Sequence, residues 1–285
     1  MASLIVETVT TYSLSLGGVV LVGFTNFYTM LTVENLTKEF DGLTAVSGLG
    51  FTVEPNTITG LIGPNGAGKT TTFNMIAGHL TPSSGAVFFN EHEITGLRPY
   101  QTFQLGIVRT FQIPRPFSGM TVLENLTMVP RKQIGEKFWN NWLQNSAVKK
   151  EELKIKDKAK DLLEFLNLAD LQNEFSGNLS GGQLKLLELG RALMSDPKLI
   201  LLDEPAAGVN PILLEEIIDR IKDIHRQGVT FLIIEHNMEL VMRLCSSILV
   251  MADGDMLMQG SPEEIRSDPR LIDAFLGSEA SPRNN

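Results

Sequence analysis

The stretch Gly63-Pro64-Asn65-Gly66-Ala67-Gly68-Lys69-Thr70 constrains this chain more than any other. It satisfies G-x-x-x-x-G-K-[ST] and stands between a short apolar run, 58–62, and a segment from Lys69 to Gly78 that reads as a helix. Its glycines let the backbone curl until successive amides face one point, which makes an anion nest. The new helix adds its positive N-terminal end. The spacing predicts that Lys69 reaches the β- and γ-phosphates of a nucleotide and that the Thr70 hydroxyl ligates Mg²⁺, with Thr71 beside it.

A strand-loop-helix of this kind needs a sheet to stand on, and the rest of the chain supplies one. The run 85–89 reads as another strand, and 199–202 and 230–234 have the continuous apolar character of central parallel strands. Between the last two, 211–227 carries Ile212, Leu213, Ile217, Ile221 and Ile224 at helical spacing. Strands alternating with helices predict a parallel sheet with helices on its faces. From 121 to 177 there is no convincing strand. The charge-rich stretch 148–167 sets Ile155, Ala159, Leu162, Leu163 and Leu166 on one helix face, so this part is predicted to be an all-helical insert. Trp139 and Trp142, three apart, serve either its core or a partner.

The 285 residues are enough for one large core with a sub-domain. A formal charge of −9 argues against binding nucleic acid by phosphate neutralisation, which leaves small ligands and protein surfaces as partners. Cys245, the one cysteine, has no partner for a disulfide or a CxxC metal site, fits a reducing compartment, and is read as core packing. Residues 8–33 carry no charged side chain, yet Ser, Thr, Gly and Asn dilute the apolar content that a spanning helix of about 20 residues needs. Residues 1–30 are expected to be a poorly ordered leader or residues upstream of a natural start at Met30; a membrane-associated segment is the other reading.

Three more sites carry chemistry. The run 199–202 ends in Asp203-Glu204. An aspartate at the carboxyl end of a buried strand can hold Mg²⁺ through water, and a carboxylate one residue on can polarise an attacking water. His236 ends a neighbouring apolar run and is expected to sense the γ-phosphate; His79, His92 and His225 are read as surface or packing residues. Ser180-Gly181-Gly182-Gln183 opens a helix predicted over 183–194, and its two glycines expose amides at the helix mouth. One chain then has two phosphate-recognising surfaces, and the second is expected to meet the γ-phosphate of a nucleotide held by another subunit.

From residue 31 to 277 the chain resembles the nucleotide-binding subunits of ABC transporters. The resemblance rests on the phosphate loop, Gln112 in Val108-Arg-Thr-Phe-Gln112, the signature loop at Ser180, Asp203-Glu204 and His236, in that order. It implies an α/β P-loop NTPase core with an antiparallel β portion and a helical sub-domain at about 113–195, followed by a tail from 278. It also implies that Gln112 reaches Mg²⁺ and the attacking water from the hinge into the insert. Phe40, in Lys-Glu-Phe-Asp-Gly, is the position that stacks on adenine in that family; core packing is the other reading. ATP and Mg²⁺ are the implied ligands.

Several stretches are similar to the subunits for branched-chain or other hydrophobic amino-acid uptake in bacteria. They are Val108 to Gln112, Arg115-Pro-Phe, Met120-Thr-Val-Leu-Glu-Asn125, the loop 204–211, and the tail 260–269 with Phe275-Leu-Gly. Asn210 stands where the wider family usually has aspartate, and asparagine also occurs there in the amino-acid group. The implied partners are a second ATPase subunit (a related chain), two permease subunits gripped through the insert, and indirectly a periplasmic binding protein. The implied location is the cytoplasmic face of the inner membrane. A urea importer or a lipopolysaccharide exporter differs only in cargo, which this subunit does not touch. Single-cassette length and the lack of a long coiled coil separate the chain from ribosome-binding and DNA-maintenance relatives.

Overall fold

The run at 58–62 has no polar face to offer water, and in the computed structural model it is buried along its whole length. The structure describes residues 15–16, 19–20, 29–110, 116–130 and 146–271. In chain order its strands are β1 Ser15–Leu16, β2 Val19–Val20, β3 Leu31–Phe40, β4 Leu43–Val53, β5 Ile58–Ile62 and β6 Ser84–Phe89, then β7 His92–Glu93, β8 Ile107–Arg109, β9 Leu199–Asp203, β10 Thr230–Ile234, β11 Ser247–Ala252 and β12 Asp255–Gly260. The helices are α1 Lys69–Ile76, α2 Pro99–Leu105, α3 Val122–Thr127 and α4 Ser146–Phe165, then α5 Gly181–Met194, α6 Pro211–Arg226, α7 Met238–Leu244 and α8 Pro262–Ser267.

Six strands form one sheet in the order β12-β11-β5-β10-β9-β8, parallel except for β12 at its edge. Four others, β4-β3-β6-β7, form an antiparallel sheet, the portion that the resemblance implied. The parallel strands are apolar on both faces because both faces are covered. Leu61, Leu201, Leu232 and Leu249 point into a core shared with the antiparallel sheet and with Phe73 and Ile76 of α1. Ile62, Ile200, Phe231 and Ile248 point the other way, toward α5, α6 and α7.

Register decides where the chemistry can sit. Leu61 pairs with Ile234, and Ile234 pairs with Asp203. The chain therefore leaves β5, β10 and β9 at the same level of one sheet edge, the carboxyl edge where open α/β sheets place their ligands.

The insert follows β8. Its described part holds α3, α4, two short 3-10 turns and α5, and the contact nearest to a strand there is one bridge, Thr121 to Phe175. Val122 and Leu126 of α3, Ala159 and Leu163 of α4, and Leu186 and Leu187 of α5 share one core. Gly190 lets these helices approach closely: a Cβ there would meet Leu166 Cδ1 at 2.7 Å and Leu126 Cδ2 at 3.2 Å.

Two expectations are corrected. Ile212, placed on the buried side of α6, is 87% exposed, because five residues of helix, about 140° of rotation, set it on the opposite face from Ile217, while Leu213 in the same turn already packs inward. The helix expected from Gln183 begins at Gly181, since Ser180 caps it. Leader residues 1–14, 17–18 and 21–28, Trp139 and Trp142, Arg115, Phe275 and the tail from 278 lie outside the described residues. Among the described residues no helix is long and apolar enough to cross a membrane.

Candidate active site

The loop between β5 and α1 is built on glycine because nothing else fits its backbone. Gly63, Gly66 and Gly68 all have positive φ. A Cβ on Gly63 would lie 2.1 Å from the Met251 carbonyl oxygen, and one on Gly68 would lie 2.6 Å from that of Ala45. Gly68 has no side chain to cap α1, and the first turn of the helix holds no acidic residue. Its first amides thus keep their donors and the positive end of the helix dipole for an anion. Lys69 is only 6% exposed, and its ammonium donates to the carbonyls of Gly63 and Pro64, both at 2.8 Å. Burial pulls its pKa down, and the Glu204 and Asp203 carboxylates pull it back up. Thr70 and Asn65 are exposed, Pro64 and Thr71 half-buried, and Ala67 buried.

Across the sheet edge, Asp203 ends β9. It is buried and paired with Arg109 of β8 at 2.9 Å. Arg109 also donates to the Asn74 side chain of α1, so one guanidinium joins three elements under the loop. Glu204 follows with φ +50°. Its amide donates to the Ile234 carbonyl at 2.9 Å, and its carboxylate Oε1 lies 2.9 Å from His236 Nε2. The expected neighbours Glu204 and His236 are therefore brought into contact, from strands that pair in parallel.

Glu235 and Lys185 were not singled out from sequence. Glu235 is 4% exposed, and its carboxylate accepts from the amides of Ala206 at 2.8 Å, His236 at 2.9 Å and Asn237 at 3.2 Å. A buried carboxylate needs such donors, and these three stitch the loop after β9 to the loop after β10. Its signal was a lone acid closing an apolar run. Lys185, on α5, donates to the Glu204 carbonyl at 2.6 Å. Burial lowers its pKa, opposed by Glu188, Glu235, Glu204 and Asp203 in that order.

Ser180 and Gln183 form a reciprocal cap. The Ser180 amide donates to Gln183 Oε1 at 2.9 Å, and the Gln183 amide donates to Ser180 Oγ at 3.4 Å. The Gln183 side chain thus serves its own helix, while Ser180 and Gly181 stand exposed at the mouth. Gly182 is buried against Leu213 of α6, with no room for a Cβ. Asn210 caps α6 by accepting from the Leu213 amide at 2.9 Å, a task asparagine and aspartate perform about equally well.

Phe40 ends β3 with 43% of its surface exposed and the Lys38 ammonium 5.1 Å from its ring centroid, so it is no core residue. Gln112 lies outside the described residues. His79 and His92 are exposed, and His225 is half-buried. Cys245 is buried beside Gly60, as its apolar setting suggested.

Comparison with known proteins follows the same lines. The family model described as ABC transporter matches residues 46–207. A probable branched-chain amino acid transport ATP-binding protein LivG from Archaeoglobus fulgidus is 44% identical over 256 residues, spanning 88% of this chain and 97% of that protein. The high-affinity branched-chain amino acid transport ATP-binding protein BraF of Pseudomonas aeruginosa is 39% identical over 251 residues, 87% of this chain and 98% of its own. Among solved structures, a nucleotide-free ATP-binding cassette from an ABC transporter superposes with a TM-score of 0.75 at 40% identity, covering 86% of this chain and 98% of that one. The ADP conformation of such a cassette gives the same TM-score and identity, at 87% and 99% coverage. With a sheet edge that gathers a phosphate loop, two carboxylates and a histidine, and with relatives aligned over nearly their whole length, this chain belongs to the ABC transporter family as one of its ATP-binding cassettes.

Proposed function

We propose that this chain hydrolyses ATP to power import of branched-chain amino acids through membrane permease subunits. The observation that carries the reading is the contact between Glu204 and His236 on the same sheet edge as the Lys69 loop. The relatives' printed names supply the cargo.

In this reading the amides of 63–71 and the Lys69 ammonium bind the β- and γ-phosphates, and Phe40 stacks on adenine. His236 orients the γ-phosphate. Glu204 takes a proton from the water as its oxygen bonds to the γ-phosphorus. The bond from that phosphorus to the bridging oxygen breaks, and ADP leaves with that electron pair. Thr70 Oγ1, Gln112 and, through water, Asp203 are the groups to hold Mg²⁺. Hard oxygen donors beside phosphates suit an ion that keeps several waters, and among the described residues no cluster of three His, Cys, Asp or Glu offers a metal cage instead. Once bound, Mg²⁺ would neutralise charge on the phosphates. The remaining catalysis is positioning and preorganised charge.

Ser180, Gly181, Gly182 and Gln183 form the mouth that meets the γ-phosphate held by a second ATP-binding subunit, a related chain. The insert couples closure to two permease subunits fed by a periplasmic binding protein, which sets this chain on the cytoplasmic face of the inner membrane. The test is ATP-driven uptake of labelled leucine by vesicles holding the complex that co-purifies with this chain. Glu204→Gln is expected to bind ATP normally and lose on the order of 10²- to 10⁴-fold in turnover. Lys69→Ala is expected to weaken ATP binding itself. Wild-type hydrolysis by Glu204→Gln contradicts the assignment of the base, and uptake of another solute class contradicts the cargo.

A further inference from the structure

We infer that Lys185 is a positioning residue for hydrolysis, fixing the backbone of Glu204 so that the carboxylate faces the phosphate loop. The inference rests on the reading of Glu204 as the group that activates water.

The starting point is a strained residue. Glu204 has φ +50°, a left-handed backbone that side chains other than glycine adopt only at a cost. Relaxation to negative φ would turn the peptide and swing the carboxylate away from His236. The conformation must therefore be held from both ends. At the amino end, the Glu204 amide extends the parallel ladder onto the Ile234 carbonyl at 2.9 Å. At the carboxyl end, its carbonyl accepts from the Ala207 amide at 3.1 Å and from Lys185 Nζ at 2.6 Å. A charged donor to a carbonyl is about twice as strong as a neutral one, so the ammonium is the stronger of the two restraints.

Where Lys185 comes from gives the contact its meaning. It lies one helical turn beyond Gly181 on α5, the helix whose exposed mouth is Ser180-Gly181. The loop that reads a neighbour's phosphate and the peptide that aims this chain's own base are thus joined by four residues of continuous helix. Gly182 against Leu213 and Gly181 near the Gly208 carbonyl, 3.8 Å from where its Cβ would stand, keep that end of α5 packed on the segment following Glu204. Tilting α5 moves Lys185, and Lys185 moves the carbonyl. Occupation of one nucleotide site then sets the geometry of the hydrolytic group in the other.

The test measures steady-state ATPase of the assembled complex against ATP concentration for Lys185→Met, Lys185→Arg and Glu204→Gln, and for Lys185→Met combined with Glu204→Gln. A misplaced base lowers kcat, and an ångström of displacement is worth about 10²-fold. Lys185→Met is expected to lose about 10- to 100-fold in kcat with KM within about twofold, and Lys185→Arg to recover most of it. On the Glu204→Gln background Lys185→Met should cost almost nothing more, since a residue that acts through Glu204 has nothing left to position. If Lys185→Met does not fold, Lys185→Gln carries the same comparison. Wild-type kcat without the ammonium, a parallel rise in KM, or an equal loss on the Glu204→Gln background overturns the inference. Wild-type activity of Glu204→Gln itself overturns the reading beneath it instead.

Discussion

At the scale of single residues, the site depends on charges taken out of water and then paired. Asp203 is held by Arg109, and Lys69 bends back onto its own loop. Glu235 is the most economical case, since one carboxylate closes two loops through three backbone amides. Replacing it with glutamine keeps the shape but leaves one acceptor oxygen and adds a buried amide with two donors. Some amide of 206, 236 or 237 must then go without its partner. Unmet buried donors cost about 1–3 kcal/mol each. Glu235→Gln is therefore expected to lower stability by that amount in denaturant unfolding and to slow hydrolysis, because both loops carry site residues. A stability change below about 0.5 kcal/mol would mean that the loops do not need the charge.

At the scale of elements, α1 is short, and both its ends are set by glycine for different reasons. Gly68 leaves the first amides open, whereas Gly78 closes the last turn. The His79 amide reaches back to the Asn74 carbonyl at 2.8 Å and the Gly78 amide to that of Met75 at 3.2 Å, a Schellman ending. Gly78 has φ +80°, and a Cβ there would lie 2.2 Å from the Leu97 carbonyl oxygen. A backbone oxygen cannot step aside as a side chain can. Gly78→Ala is thus expected to destabilise by about 1–3 kcal/mol, read as a lower melting temperature, while ATP titrations stay at the wild-type value because the phosphate loop is at the other end of the helix. Unchanged stability would show that the turn after α1 can move.

At the scale of the whole molecule, the doubly covered sheet controls Cys245. Burial pushes its thiol up from the ordinary 9.0 to about 12, with the Glu235 charge adding to the effect. The folded chain therefore holds this proton more tightly than the unfolded one. The stability it contributes is fully present below about pH 9 and is lost as the pH rises through about 12. The slope is about 1.4 kcal/mol per pH unit within that window. Native protein at pH 8 should leave a thiol reagent unreacted, and denatured protein should react with it. Rapid labelling of the native state would mean that α7 opens away from β5.

The sequence determined the elements and their chemistry, because hydrophobic period and glycine spacing are local properties. The strands expected at 58–62, 199–202 and 230–234 and the helix expected at 211–227 stand to within one residue of those bounds, and the glycine-rich loop 63–68 joins a strand to a helix as its motif required. The helix mouth near Ser180 was legible for the same reason, but its start two residues earlier and the reciprocal cap between Ser180 and Gln183 were not read. What a local pattern could not contain was which residues meet across the sheet. Arg109 under Asp203, Glu235 between two loops and Lys185 on the carbonyl of Glu204 join positions 94, 29 and 19 residues apart. Ile212 is a different kind of miss, since the helical period itself sets it about 140° from Ile217 and so on the exposed face. Register between parallel strands is a property of the assembled sheet, and that register turned three separate motifs into one site.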